Sequence, residues 1–370
     1  MRQLKLLVLR FPWMAAGPRT EVDNDHQSEI DQSRTAGGGA HGAFTWGVLD
    51  RVLEDGRLWI DAISGTSAGA MNAVVVADGL MRNGCQGARE SLHRFWSEVS
   101  RSAQYSPIQR APIDILMGNW SLDNSFGYNY VEFLSRIASP YELNPFKLDP
   151  LKDLLEKVVD FDLVRSCNKT KIFVSATNVE TGRVKVFDRR GLTSDMVMAS
   201  ACLPQMFQAV EIDGVPYWDG GFMGNPVLFP FYDATDCNDV MIVQINPIER
   251  KGAPKTARDI MNRVNEITFN GSLLKELRSM DFVCRLVEQG KLDPKHYKQV
   301  KVHIVEAQNH LSQLGASSKM NSEWKFLRHL FEIGRGAADE WLDEHFDDIG
   351  ERSTVNLREM FQGIGAVHQG

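Results

Sequence analysis

Apolar and polar positions along the chain fall into alternating patterns of two periods. Between Phe44 and Leu53 the apolar residues recur at 44, 48, 49, 52 and 53, the spacing of one helix face, and Gly56 stands where a helix stop belongs. Leu58 to Ile63 is an apolar run broken only by Asp61, the length of a buried strand. Helical spacing returns over Ala88 to Val99 and over Leu151 to Val159. Lys171 to Thr177 and Val184 to Phe187 read as two strands joined by a turn at Thr181-Gly182, and Met196 to Pro204 as a small-residue helix stopped by proline. Val240 to Ile245 and Val300 to Val305 are strongly apolar strands. Asp259 to Gln289 supplies one or two helices and Glu323 to Phe346 another, with Leu327, Leu330, Phe331, Gly334, Ala338, Trp341 and Leu342 on one face. This alternation, with no internal repeat, predicts an α/β fold with a mostly parallel sheet covered on both sides.

Two stretches depart from the pattern. Residues 17–36 are polar, charged and without period, which predicts disorder or a solvated linker. Ser102 to Pro150 is irregular and aromatic, with prolines at 107, 112, 140 and 145. Such an insertion either covers the core or caps an apolar substrate site, and in the second case Trp120 and Phe126 are the rings expected to line an acyl groove.

Composition narrows the function classes. A chain of 370 residues with 43% hydrophobic content can bury a sizeable core, and a net charge of -7 without a basic stripe argues against nucleic-acid binding. Five scattered cysteines with no C-x-x-C pair suggest neither a disulfide framework nor a metal site, and point to a reducing, cytoplasmic setting. Leu4 to Phe11, interrupted by Arg10, is a poor signal peptide, and no apolar run is long enough to span a bilayer.

Three motifs carry chemistry. Gly65-Thr66-Ser67-Ala68-Gly69 lies between the strand at 58–63 and the small-residue segment from Ala70 to Ala77. A G-x-S-x-G in a strand-turn-helix setting reads as a nucleophile elbow, with glycines on both sides of Ser67 because the turn is tight and helix amides facing a developing oxyanion. Gly37-Gly38-Gly39-Ala40-His41-Gly42 opens the first helix and presents backbone amides to a phosphate or an oxyanion. It also satisfies G-x-G-x-x-G, but a dinucleotide site needs a strand before it and an acid at the tip of the next strand, and neither is in place. Asp219-Gly220-Gly221 follows an aromatic strand and fits either a cleft-facing carboxylate or a plain turn.

Taken in order, Gly37 to Gly42, Gly65 to Gly69 and Asp219 to Gly221 resemble the patatin-like phospholipase family, over roughly residues 37–250. Ala199 to Pro204 and Gly224-Asn225-Pro226 add to the resemblance. It implies a three-layer α/β/α core in which Ser67 is the nucleophile, Asp219 the proton acceptor of a Ser–Asp dyad, and Gly37, Gly38 and Gly39 the oxyanion hole, with no metal or organic cofactor. His41 stands where the family commonly has arginine. The implied organisation is an N-terminal segment 1–36, a catalytic domain 37–250, a C-terminal α/β extension 251–350 on the same core, and a tail 351–370. The implied activity is hydrolysis of lipid acyl esters through an acyl-enzyme, with peripheral membrane contact as a further expectation.

Alternatives remain on the residues alone. A Ser-His-Asp triad has His296, His303 and His310 in the required order, although His303 sits within an apolar strand. The same acyl-enzyme serves an acyltransferase, and a non-catalytic lipid- or protein-binding module fits the poor strand, Ser33 to Ala36, that precedes the glycine run. Leu4 to Leu9 is the apolar segment available to fill that strand's place.

Overall fold

The computed structural model describes residues 2–3, 5–6, 39–250 and 252–362. Gly37, Gly38 and the polar stretch 17–36 lie outside the described residues. Two short strands lie near the chain's start, β1 (Arg2–Gln3) and β2 (Lys5–Leu6). A 3-10 turn at Gly39–His41 leads into α1 (Gly42–Asp55), which ends where the sequence predicts: Gly56 takes φ 68° and donates its amide to the Val52 carbonyl. Strands β3 (Leu58–Trp59) and β4 (Ala62–Gly65) follow, then α2 (Ala68–Ala103), bent at Asn83 and Gly84.

The aromatic insertion carries three helices, α3 (Pro112–Leu116), α4 (Phe126–Ile137) and α5 (Pro140–Leu143). After it come α6 (Pro150–Val158), α7 (Phe161–Ser166), β5 (Lys171–Asn178), β6 (Val184–Asp188) and α8 (Ser194–Ser200). The hairpin β7 (Val210–Ile212) and β8 (Val215–Asp219) turns at Asp213-Gly214, a signal the sequence reading passed over. The chain closes with α9 (Pro230–Ala234), β9 (Asp239–Gln244), α10 (Ala257–Glu288), β10 (Lys301–Glu306), α11 (Gln308–Leu311), α12 (Trp324–His345) and α13 (Leu357–Gln362).

The fold is α/β, and its described strands form three hydrogen-bonded sets: β1–β3, β2–β9–β10 and a mixed one of β4 to β8. Pairings β1–β3, β2–β9, β9–β10 and β4–β5 are parallel, whereas β5–β6, β5–β8 and β7–β8 are antiparallel. Short connections join β5 to β6 and β7 to β8 and make those pairs antiparallel, since parallel neighbours need a crossover. Every residue of β9 is buried, as expected of a strand covered on both faces. All seven residues assigned to the α12 face are buried, and that face packs on α1. Lys5–Leu6 pairs with β9, so the start of the chain contributes a strand that Ser33 to Ala36 was poorly suited to form.

Candidate active site

Strand β4 ends at Gly65 and α2 begins at Ala68, so only Thr66 and Ser67 make the turn. Ser67 sits at φ 56°, ψ -124°, a backbone region that costs a residue with a Cβ roughly 1–3 kcal/mol and persists only where the surroundings enforce it. The surroundings do. The Ser67 amide donates to Ser200 Oγ at 2.9 Å. Thr66 Oγ1 donates to the Gly224 carbonyl at 2.9 Å and lies 2.6 Å from Ser175 Oγ, while Ser64 Oγ donates to the Val227 carbonyl at 2.6 Å.

The two motif glycines differ in their need for a missing side chain. A Cβ on Gly65 would lie 2.4 Å from the Gly69 carbonyl oxygen, whereas one on Gly69 would meet nothing within 4 Å. The expectation that the turn is too tight on both sides therefore holds for Gly65 alone. Gly65→Ala is expected to lower the melting temperature by several degrees or prevent folding, and Gly69→Ala to change it by no more than a degree or two, as read by thermal denaturation.

Asp219 ends β8 beside this turn. Its amide donates to the Cys202 carbonyl at 2.7 Å, its carbonyl accepts from Thr177 Oγ1 at 2.8 Å, and its Oδ1 accepts from the Gly221 amide at 2.7 Å. Gly220 and Gly221 form a 3-10 turn that starts at the strand's end. A hydrogen bond joins the Ser67 side chain to the Asp219 carboxylate. Ser67 is 8% exposed and Asp219 3%. Burial pushes the Asp219 carboxyl up to about 7, against the hydrogen bonds from Gly221 and Ser67, which favour the ionised form.

Above the pair opens a cleft of about 630 Å³ bounded by the Ser67 turn, Asp219 and Gly221, the inner faces of α4 (Tyr128, Val131) and α10 (Met261, Phe269), and Lys319. A narrow apolar recess of about 30 Å³ lies on the other side of Ser67, between Gly39, Ala40, Ala68, Met71 and Trp96. Gly39 is held at φ 51° with its Cα so close to the Lys319 carbonyl that a Cβ would fall 1.9 Å from that oxygen. Gly42 opens α1 and its carbonyl accepts from Asn72 Nδ2 at 3.0 Å, with Asn72 Oδ1 in turn taking Trp96 Nε1 at 3.0 Å. That network fixes the start of α1 against α2. His41 is buried, with Nε2 2.9 Å from Ser318 Oγ, and burial with the nearby Lys319 and Arg250 charges lowers it to about 3.

No histidine lines either cavity among the described residues. His303 is fully buried 3.2 Å from Asp239, and His296 pairs with Asp293 at the surface. Of the two readings of the insertion, Trp120 fits the packing one. Trp120 stacks on Phe326 and His329, while Phe126 is 85% exposed, so neither ring lines the cleft and Tyr128 and Val131 do so instead.

Four contributors were not picked out individually in the sequence. The Ala68 amide, first in α2, donates to no acceptor among the described residues. Ser200 and Cys202 hold the backbones of Ser67 and Asp219, a role that the Ala199 to Pro204 motif signalled without explaining. Lys319 comes from a 3-10 turn, Ala316–Met320, in a segment without periodicity. Among the described residues no cluster of His, Cys, Asp or Glu could hold a metal, and none of the five cysteines is in a disulfide.

The sequence model described as patatin-like phospholipase matches residues 35–234. No curated protein matches significantly. Among solved structures, VipD from Legionella pneumophila aligns with a TM-score of 0.37 at 14% identity, over 84% of this chain and 66% of that one. The chain thus spans just under two thirds of VipD.

Proposed function

The chain belongs to the patatin-like phospholipase family, which implies lipid acyl hydrolase activity, and from that premise we propose that Ser67 and Asp219 act as a catalytic dyad. The hydrogen bond between the strained Ser67 and the buried Asp219 carboxylate on the cleft floor is the observation that carries the reading. A carboxylate drawn up to about 7 is matched to taking a hydroxyl proton near neutral pH. In the proposed sequence Asp219 accepts the Ser67 proton, Oγ attacks the acyl carbonyl, and the leaving alcohol takes that proton. Water, deprotonated by Asp219, then frees the fatty acid from Ser67. The unengaged Ala68 amide is a donor for the oxyanion, in the position of the residue after the nucleophile, with the Gly39 turn opposite. The recess beside Ser67 has room for little more than a water molecule. The acyl chain therefore lies along the open cleft between α4 and α10.

The cleft's lips favour contact with a lipid surface. On α4, Phe126, Tyr130, Phe133 and Ile137 form an outward stripe at helical spacing, and α10 exposes Ile260, Val264 and Ile267 alongside. No helix among the described residues is long and apolar enough to cross a membrane, so the proposed contact is peripheral. Phe126→Ser with Phe133→Ser is expected to weaken sedimentation with phosphatidylcholine vesicles about tenfold or more, through lost apolar burial. Turnover of a water-soluble short-chain ester should change far less. Equal vesicle binding by the double variant would remove the stripe from the account.

The proposed activity is tested by incubating the protein with phosphatidylcholine and with p-nitrophenyl acyl esters and measuring released fatty acid, expected from wild type and lost in Ser67→Ala. Adding an alcohol acceptor separates hydrolase from acyltransferase, since only the latter makes a new ester.

A further inference from the structure

Resting on the reading of Ser67 as nucleophile, we infer that Lys319 is a substrate-selecting residue that takes the phosphodiester of a glycerophospholipid while its acyl ester lies at Ser67. The lysine lines both the cleft and the recess, so it stands where the two meet at the Ser67 turn. Its ammonium has three donors. One goes to Asn246 Oδ1 at 3.0 Å, and among the described residues no carboxylate lies within ion-pair distance. The acid whose charge reaches it, Glu266, is already taken by two guanidinium groups: Arg250 donates to both of its oxygens at 2.7 to 3.0 Å and Arg263 to Oε2 at 3.1 Å. Those arginines are committed elsewhere too, Arg250 to the Ser312 carbonyl and Arg263 to the Ile248 carbonyl.

Of the two cations that line the cleft, Arg136 pairs with Glu132, whereas Lys319 makes no ion pair among the described residues and keeps donors to spare. A part-buried cation left without a counter-ion is costly unless an anion arrives. Burial, with the Arg250 charge adding to it against Glu266, lowers the Lys319 ammonium, and an incoming anion would reverse that shift. The reacting ester carries no net charge, so the group that complements Lys319 is the phosphate one glycerol carbon from the acyl oxygen. A compact ammonium suits it as a point charge.

The test compares kcat/KM for a phosphatidylcholine and for the diacylglycerol with the same acyl chains, both in neutral-detergent micelles. Lys319→Met is expected to lower the phosphatidylcholine-to-diacylglycerol ratio about tenfold or more, mainly through KM, as expected for a lost charge-assisted contact. Lys319→Arg should recover most of the ratio. An equal fall for both substrates would assign Lys319 to the oxyanion or to folding and overturn the inference, as would an unchanged ratio. A second measurement uses the wild type alone: glycerophosphocholine should inhibit diacylglycerol hydrolysis competitively and more strongly than inorganic phosphate. Inhibition by phosphate alone would mark a free-anion site, and no inhibition by either would also reject the inference. Hydrolysis that survives Ser67→Ala would instead sink the dyad reading, whatever the ratio does.

Discussion

Ser67→Ala is expected to leave a folded protein whose acyl-ester hydrolysis falls at least about a thousandfold, the scale of losing a nucleophile that works as one unit with its base. Folding survives because the backbone at Ser67 is held by its amide's bond to Ser200 Oγ and by the Thr66 and Ser64 bonds, none of which uses Ser67 Oγ. Ser67→Gly loses activity equally but gains stability. It removes the Cβ that φ 56° disfavours, a strain of order 1 kcal/mol or more, and so should raise the melting temperature by several degrees. A Ser67→Ala protein retaining a tenth of wild-type turnover on p-nitrophenyl esters would move the nucleophile elsewhere.

Asp219→Asn is expected to lose activity nearly as far. In the wild type, kcat/KM should rise about tenfold per pH unit below about 7 and level off above it, because in the proposed dyad only the ionised carboxylate can accept the Ser67 proton. The same shift has a stability consequence of definite sign. A carboxyl whose folded value lies above its ordinary one costs nothing while protonated in both states, and its cost grows as pH rises from about 4 to 7. Asp219→Asn should therefore raise the melting temperature at pH 8 and lose that gain at pH 4. His303→Ala is expected to do the reverse: His303 is bonded to Asp239 in the core, so its loss should lower stability and spare the pH profile. A histidine variant as inactive as Asp219→Asn, yet folded, would restore the triad.

Periodicity was a good guide where a segment's own residues decide its conformation. The α1 stop at Gly56, the α12 face and strands β5, β9 and β10 were all legible, because spacing and burial act within a few turns. The glycine motifs marked Ser67 and Asp219 as candidates for the same reason: Gly65 permits a turn that its own contact with Gly69 makes tight.

What the sequence hid depends on contacts between distant segments. Lys319 reaches the cleft only because its 3-10 turn docks on Gly39, some 280 residues earlier. Trp120 looked like a groove ring, but its neighbour Phe326 lies on α12, and no local pattern distinguishes a ring packed on a remote helix from one facing a substrate. The reading of a mostly parallel sheet left the antiparallel share unmarked because both kinds of pairing use the same apolar strands, and the short turns at Thr181-Gly182 and Asp213-Gly214 are what mark it.

The central claim is that Ser67, activated by Asp219, forms the covalent bond to the acyl group. Treating the wild-type protein with a fluorophosphonate and mapping the adduct by peptide mass spectrometry tests this most directly. A single adduct is expected on the peptide carrying Ser67, absent from Ser67→Ala and strongly slowed in Asp219→Asn. An adduct on another serine, or no adduct in a protein that hydrolyses acyl esters, would contradict it.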